Sequence, residues 1–263
     1  MRDSQRMKYR YKEKDTPALK TTLSLIASGL LLASLAAGSQ AAEKETEETE
    51  EMDAHEKAIR LTSDLEQGRK EYKICVVCHA PEGWGSKDGE YPQIAGQLRG
   101  VIIKQLDDIR SRNRDNPTMY PFASQRMLDT PQAIADVAGY IAQLPMTTDI
   151  GVGDGKDLEL GKKLYIEHCA KCHGDAGEGD KADLIPAVRG QHYEYLVRQF
   201  EWIRDGKRRN ADKKMVKQIQ SFSDRDIRAI MDYTSRLPVP EAMQAKPGWV
   251  NPDFPEYFRR EPK

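Results

Sequence analysis

The chain has 263 residues, enough for one large domain or two small ones. Only 38% of them are hydrophobic while 32% are charged, so side chains alone would struggle to fill two cores; either part of the chain is unfolded or something else fills the middle. The net charge of −1 comes with no basic stripe carrying interleaved aromatics, so nothing supports a nucleic-acid role.

Residues 1–41 read as an address. A long basic stretch, MRDSQRMKYRYKEKDTPALK, precedes the apolar run LSLIASGLLLASLAAG, which is short for a membrane span of about 20 residues. Small residues at Ser39 and Ala41 suit cleavage after Ala41, so a cleaved export signal is predicted. Retained, the same segment would be an N-terminal anchor and associate the protein with the inner membrane. In either case the folded part is expected in the periplasm. Residues 42–60 follow, and within them EKETEETEEMDAHE holds eight acids against Lys44 alone. Such a run repels itself and carries little apolar surface, which predicts a disordered tether.

The rest of the chain repeats itself. LEQGRKEYKICVVCH (65–79) parallels LELGKKLYIEHCAKCH (158–173), with one residue fewer between glycine and first cysteine. YPQIAGQ (91–97) parallels LIPAVRGQ (184–191), KQLDDIR (104–110) parallels RQFEWIR (198–204), and DVAGYIAQLP (136–145) parallels AIMDYTSRLP (229–238). One unit has been duplicated, over 61–145 and 158–238, with the Gly- and Asp-rich 146–157 as linker and 239–263 as a tail of prolines and aromatics. Both units read as helical, so the expected fold class is all-α. Ser63-x-x-Glu66 predicts a capping box, and a 3.6-residue stripe through Leu98, Val101, Ile102, Gln105, Leu106 and Ile109 predicts a helix over 97–112. Thr130-Pro131 and Ser223-x-x-Asp226 open the last helix of each unit, and a Leu-Pro pair closes it.

All four cysteines fall in two clusters, Cys75-Val-Val-Cys78-His79 and Cys169-Ala-Lys-Cys172-His173, 94 residues apart. On a helix these residues stand at i, i+3 and i+4, so two sulfurs can bond one side of a flat macrocycle while the imidazole reaches its metal. C-x-x-C-H is thus the attachment signature of c-type haem. Zinc modules keep their pairs close together, and a redox dithiol calls for a βαβ context that is missing here. Two covalently bound haem c groups would also supply the missing interior of units this small.

Each iron needs a second axial partner. His55 lies in the tether, His168 directly precedes Cys169, and His192 opens a helix, so a surface position is expected for these three. Met119 lies 44 residues after Cys75 and Met215 lies 46 after Cys169, each in the irregular stretch before a last helix. Met127, three residues before Thr130, is the rival in the first unit, and Met231 sits among helix-core residues. His/Met ligation raises the potential and leaves no open iron position, which suits electron transfer and leaves no catalytic residue to name.

G-x-x-L-Y-x-x-x-C-x-x-C-H-G, the P…GQ segment, the loop methionine and the S-x-x-D-I helix opening resemble class I cytochromes c. Two such units after an export signal resemble the diheme cytochrome c4 type. The resemblance implies two tandem cytochrome c domains, thioethers at Cys75, Cys78, Cys169 and Cys172, and axial pairs His79/Met119 and His173/Met215. It favours Met119 over Met127 through the segment Asn116 to Ala123. It further implies that Pro92 and Pro186 accept a hydrogen bond from the proximal imidazoles. Arg110, Arg204, Arg114 and Arg208 recur at one offset and could meet haem propionates or stand at solvated helix ends. The chain departs from the family at Ala80, where glycine is usual. A one-electron carrier in a respiratory or oxidative chain is expected, between a dehydrogenase or quinol oxidase and a terminal oxidase. The alternatives are an electron-accepting subunit of a dehydrogenase such as a flavoprotein, docked through the tail 249–263, and a diheme oxidoreductase such as a peroxidase. A thiosulfate-oxidising cytochrome is disfavoured because haem attachment consumes all four cysteines.

Overall fold

A computed structural model describes residues 54–255 and Phe258. The export signal expected over 1–41 and the acidic stretch 42–53 lie outside the described residues. Among the described residues there are eleven α-helices and no strand, and no helix is long and apolar enough to cross a membrane.

The first repeat contains α1 (Ala54–Arg60), α2 (Leu65–Tyr72), α3 (Val76–His79), α4 (Arg99–Arg110), α5 (Tyr120–Ala123) and α6 (Pro131–Gln143). The second contains α7 (Leu158–His168), α8 (Ala170–His173), α9 (Tyr193–Arg204), α10 (Lys213–Ile219) and α11 (Asp224–Ser235). Helix α1 corrects the expected tether, which cannot extend to residue 60. Its Ala58 is fully buried, the helix packs on α4 and α6, and the Arg99 guanidinium takes up the carbonyls of Ala58, Ile59 and Leu61 at its end. The α2 cap also differs from expectation. Asp64, not Ser63, accepts from the Gln67 amide, and the Ser63 hydroxyl donates instead to the Ala135 carbonyl on α6. Thr130 and Ser223 cap α6 and α11 as predicted, the latter with a complete capping box.

Each repeat is built on a crossing of its first and last long helices, α2 on α6 and α7 on α11. Glycine makes the crossing possible. A methyl group at Gly68 would run into the Asp136 carbonyl, and one at Gly161 into the Ala229 carbonyl. Beside each glycine a tyrosine pair closes the contact, Tyr72 with Tyr140 at 5.3 Å and Tyr165 with Tyr233 at 5.6 Å between ring centres. Two separate apolar clusters result. Ile103, Ile134 and Val137 centre the first, and Leu196, Ile227 and Ile230 the second. The predicted stripe of α4 holds at Val101, Ile102 and Ile109, with Ile103 buried as well.

The repeats meet through a pseudo-twofold contact in which residues 94 positions apart exchange roles. Gln97 accepts from the Ala187 amide and donates to the Ala187 carbonyl at 3.0 and 2.9 Å. Gln191 does the same to the backbone of Gln93 at 3.0 and 2.8 Å. Further along the axis Arg114 donates to Gln105 and Gln199, and Arg208 donates to the same two side chains. The linker is pinned rather than loose, because the Gly153 and Gly155 amides both donate to the Asp232 carboxylate.

The tail is a strap. Leaving α11, it pairs with Met146 through the Met243 carbonyl and the Ala245 amide, each at 2.8 Å, and then lies across the first repeat. Trp249 meets Trp84 and Phe254 meets Tyr72, with ring centres 5.8 Å apart in both pairs. Trp249, Phe254 and Phe258 are thus packed within the chain, while Val250 between them is exposed at 53%.

Candidate functional site

In each repeat a single helical turn carries the cysteine motif. The amides of Cys78 and His79 both donate to the Cys75 carbonyl, at 3.2 and 2.9 Å, and those of Cys172 and His173 donate to the Cys169 carbonyl at 3.1 and 2.9 Å. That turn places both thiols and the imidazole on neighbouring sides of one helical face. None of the four cysteines is tied up in a disulfide, so both sulfurs of each motif are available for bonding.

The imidazoles are fixed by carbonyls. His79 Nδ1 lies 3.0 Å from the Pro92 oxygen, and His173 Nδ1 lies 3.0 Å from the Pro186 oxygen. A carbonyl only accepts, so Nδ1 carries the proton and Nε2 keeps its lone pair. Burial lowers both histidines from their ordinary value, against the Pro92 and Pro186 bonds, so each ring is neutral at pH 7. Among the described residues no group of three or more His, Cys, Asp or Glu side chains is placed to hold a bare metal ion. Each repeat therefore offers one orientated imidazole and two thiols on a single turn. This donor set suits a metal that arrives with an equatorial ring of its own, and not zinc.

Met215 and Cys169 pack against the same apolar cluster in the second repeat. Met215 stands on α10, with its amide donating to Asp212, rather than in the irregular stretch the sequence suggests. Met119 is half-buried at the start of α5, whereas the rival Met127 is exposed at 38% and Met231 is core. Arg110 holds the segment around Met119 from behind, donating to the carbonyls of Ala123 and Leu128. Its repeat partner Arg204 is spent on Asp205 and Asp224. Of the four arginines noted in the sequence, only Arg114 and Arg208 are turned into the contact between repeats. Burial, then the nearby Arg114, pulls Arg208 down to about 10, the mark of crowded, desolvated positive charge. A cavity of about 350 Å³, lined by Ile203, Arg208, Ala211, Lys213, Val216 and Lys217, opens between α10 and the loop before it.

Several further residues hold the site in place that the sequence did not assign. His192, expected at the surface, is 1% exposed and ties the repeats together. It accepts from the Gly151 amide at 3.2 Å, so its Nε2 donates to the Trp84 carbonyl at 2.7 Å. Trp84 in turn donates to the Pro145 carbonyl at 2.8 Å. Asn251 of the strap is 1% exposed and reaches the loop after the first motif. For the glutamine pairs a signal was present, since Gln97/Gln191 and Gln105/Gln199 recur at the same offset as the cysteines. His192 has no such twin, because Leu98 stands at its counterpart.

Comparison with known proteins gives the family. The family model for cytochrome c matches residues 158–237. The cytochrome c4 of Thiocapsa roseopersicina is 32% identical over 70% of this chain and 98% of its own length. The thiosulfate dehydrogenase electron acceptor of Stutzerimonas stutzeri is 31% identical, over 62% of this chain and 78% of its own. Among solved structures, reduced cytochrome c4 from Pseudomonas stutzeri superposes with a TM-score of 0.59 at 26% identity, covering 67% of this chain and all of that one. The chain belongs to the cytochrome c4 family, a diheme electron carrier with two covalently bound haem c groups.

Proposed function

We propose that each repeat holds its haem through its own motif: Cys75, Cys78 and His79 in a domain spanning 61–145, and Cys169, Cys172 and His173 in one spanning 158–238. Met119 and Met215 would supply the second protein ligand to the two irons. The group supplies a one-electron Fe(III)/Fe(II) couple. The protein's part is to hold it, orient it and keep other ligands away. Pro92 and Pro186 accept from Nδ1 and so leave Nε2 as the nitrogen that would bind the iron, a contact that would strengthen the bond the ring can form. Arg114 and Arg208, gathered with neutral amide partners at the contact between repeats, are suited to the haem carboxylates. The observation that carries the reading is the recurrence of the His–Pro contact at the same distance and the same thirteen-residue separation in both repeats.

With methionine in the sixth position an iron passes electrons and binds no substrate, so the chain itself is a carrier rather than an enzyme. It would work in the periplasm between a dehydrogenase or quinol oxidase and a terminal oxidase, and at the inner membrane if residues 1–41 are retained. A second reading, the electron-accepting partner of a dehydrogenase, is favoured by the likeness to the thiosulfate dehydrogenase electron acceptor. The absorption spectrum of the oxidised holoprotein tests the ligand assignment. The weak long-wavelength band of an iron–methionine bond should be halved in Met119→Leu and in Met215→Leu, and absent from the double variant. A full band in either single variant would show that another residue holds that iron.

A further inference from the structure

The turn after the first motif is strained where its twin is not. Ala80 sits at φ 63 and ψ 161, backbone that only glycine adopts freely; Gly174 occupies the same place in the second repeat at φ 81 and ψ 159. A side chain in that region is strained and persists only where its surroundings hold it. Both turns share one support, a tyrosine hydroxyl donating to the turn carbonyl: Tyr72 to Ala80 at 2.8 Å and Tyr165 to Gly174 at 2.7 Å.

The first turn has more. Asn251 Nδ2 donates to the Pro81 carbonyl at 2.7 Å and to the Tyr140 hydroxyl at 3.0 Å, while the Asn251 amide donates to Glu82 Oε1 at 3.1 Å. The Tyr140 hydroxyl itself donates to Asp253 Oδ2 at 2.9 Å. Pro81 and Glu82 are buried beneath this arrangement, whereas their counterparts Asp175 and Ala176 are exposed and half-buried. In the second turn the loop is tied instead by its own Glu178, accepting from the Ala176 amide.

We infer that residues 239–254 form a clasp, and that Asn251 is a positioning residue which holds the strained Ala80–Gly83 turn and thereby sets the environment of His79 and the first haem. The repeat with glycine at the turn needs no clasp, and the repeat with alanine has one. Because the Asn251 amide group lies where no water reaches, losing it leaves the Pro81 carbonyl and the Tyr140 hydroxyl without that partner in a dry site. The clasp also excludes solvent from the first motif, and solvent exclusion favours the less charged reduced iron.

The test uses the full-length, haem-loaded protein with Asn251→Ala and the near-isosteric Asn251→Asp, each in the wild-type and Ala80→Gly backgrounds. Hydrogen exchange followed by mass spectrometry reads the Gly83 and Gly85 amides, which donate to Ala80 and His79, against those of Gly177 and Gly179, which donate to Gly174 and His173. Both variants should raise exchange in the first turn about tenfold or more and leave the second unchanged, and Ala80→Gly should shrink the effect. One of the two reduction waves should move to lower potential while the other stays. The potential arm rests on the haem assignment proposed above; the exchange arm stands without it. Unchanged exchange, equal loosening of both turns, or no effect of Ala80→Gly would overturn the clasp. Two unmoved waves would show that Asn251 positions nothing at the haem.

Discussion

In the first repeat His79 is buried at 5% exposure, Cys78 is half-buried and the loop after the motif is covered; in the second His173 is half-buried, Cys172 is exposed and Asp175 faces solvent. The supporting backbone scarcely differs, since the same crossing, the same tyrosine pair and the same His–Pro contact occur in both. What differs is what lies over it: α1 and the strap cover one copy and nothing equivalent among the described residues covers the other. A duplicated site can thus be made unequal from outside, by chain added at the ends, while its motif stays the same. On the proposed assignment, the unequal burial of His79 and His173 would give the two irons unequal potentials and a transferred electron a preferred resting place.

The largest effect should come from removing one motif at a time. Cys75→Ala with Cys78→Ala, or Cys169→Ala with Cys172→Ala, should leave one covalent haem per chain by intact mass. Proteolysis should then start in the emptied repeat, which is too small to hold its fold on side chains alone. The helix crossings come next. Gly68→Ala and Gly161→Ala each force a methyl group into a backbone carbonyl and should cost about 3 kcal/mol in chemical unfolding, by similar amounts if the crossings are truly twins. Gln105→Ala and Gln199→Ala take an acceptor from the same two guanidiniums. Each should cost about 1–3 kcal/mol, and the double variant should cost less than the sum because the two share partners.

The smallest effect separates the repeats by pH. Burial holds His192 below its ordinary value, against its bond to the Trp84 carbonyl; Asp88, Lys87 and Asp149 are the charged groups that face it. A histidine held neutral by folding adds no protons to the native state where the unfolded chain would take one. Its contribution is therefore intact above about pH 6.5 and is lost as the pH falls below it, by at most about 1.4 kcal/mol per pH unit. His192→Gln should flatten that part of the stability profile, read by denaturant titration between pH 7 and pH 5.

Much of this was legible in advance because it is local or periodic. The motif and its duplication, the α6 and α11 caps and the α4 stripe are carried by residues a few positions apart, whose spacing alone places them on one helical face. The clasp was not legible, because Asn251 meets Pro81 across 170 positions and nothing in GWVNPDF announces a partner. Helix α1 hid behind its acids, since one buried alanine and an arginine 41 residues away decide its fate. His192 looked like a surface residue because the polar atoms that satisfy it belong to Trp84 and Gly151, on other parts of the chain. Met215 stands out in the sequence by its distance from the motif, yet its helix was missed because KKMVKQI is too short to show a period.

Electron paramagnetic resonance of the fully oxidised, full-length protein bears most directly on whether two closed haem sites share this chain. Two low-spin ferric signals in equal amount, with no high-spin signal, are the predicted result. A high-spin component of one half or more, or a single haem per chain, would contradict it.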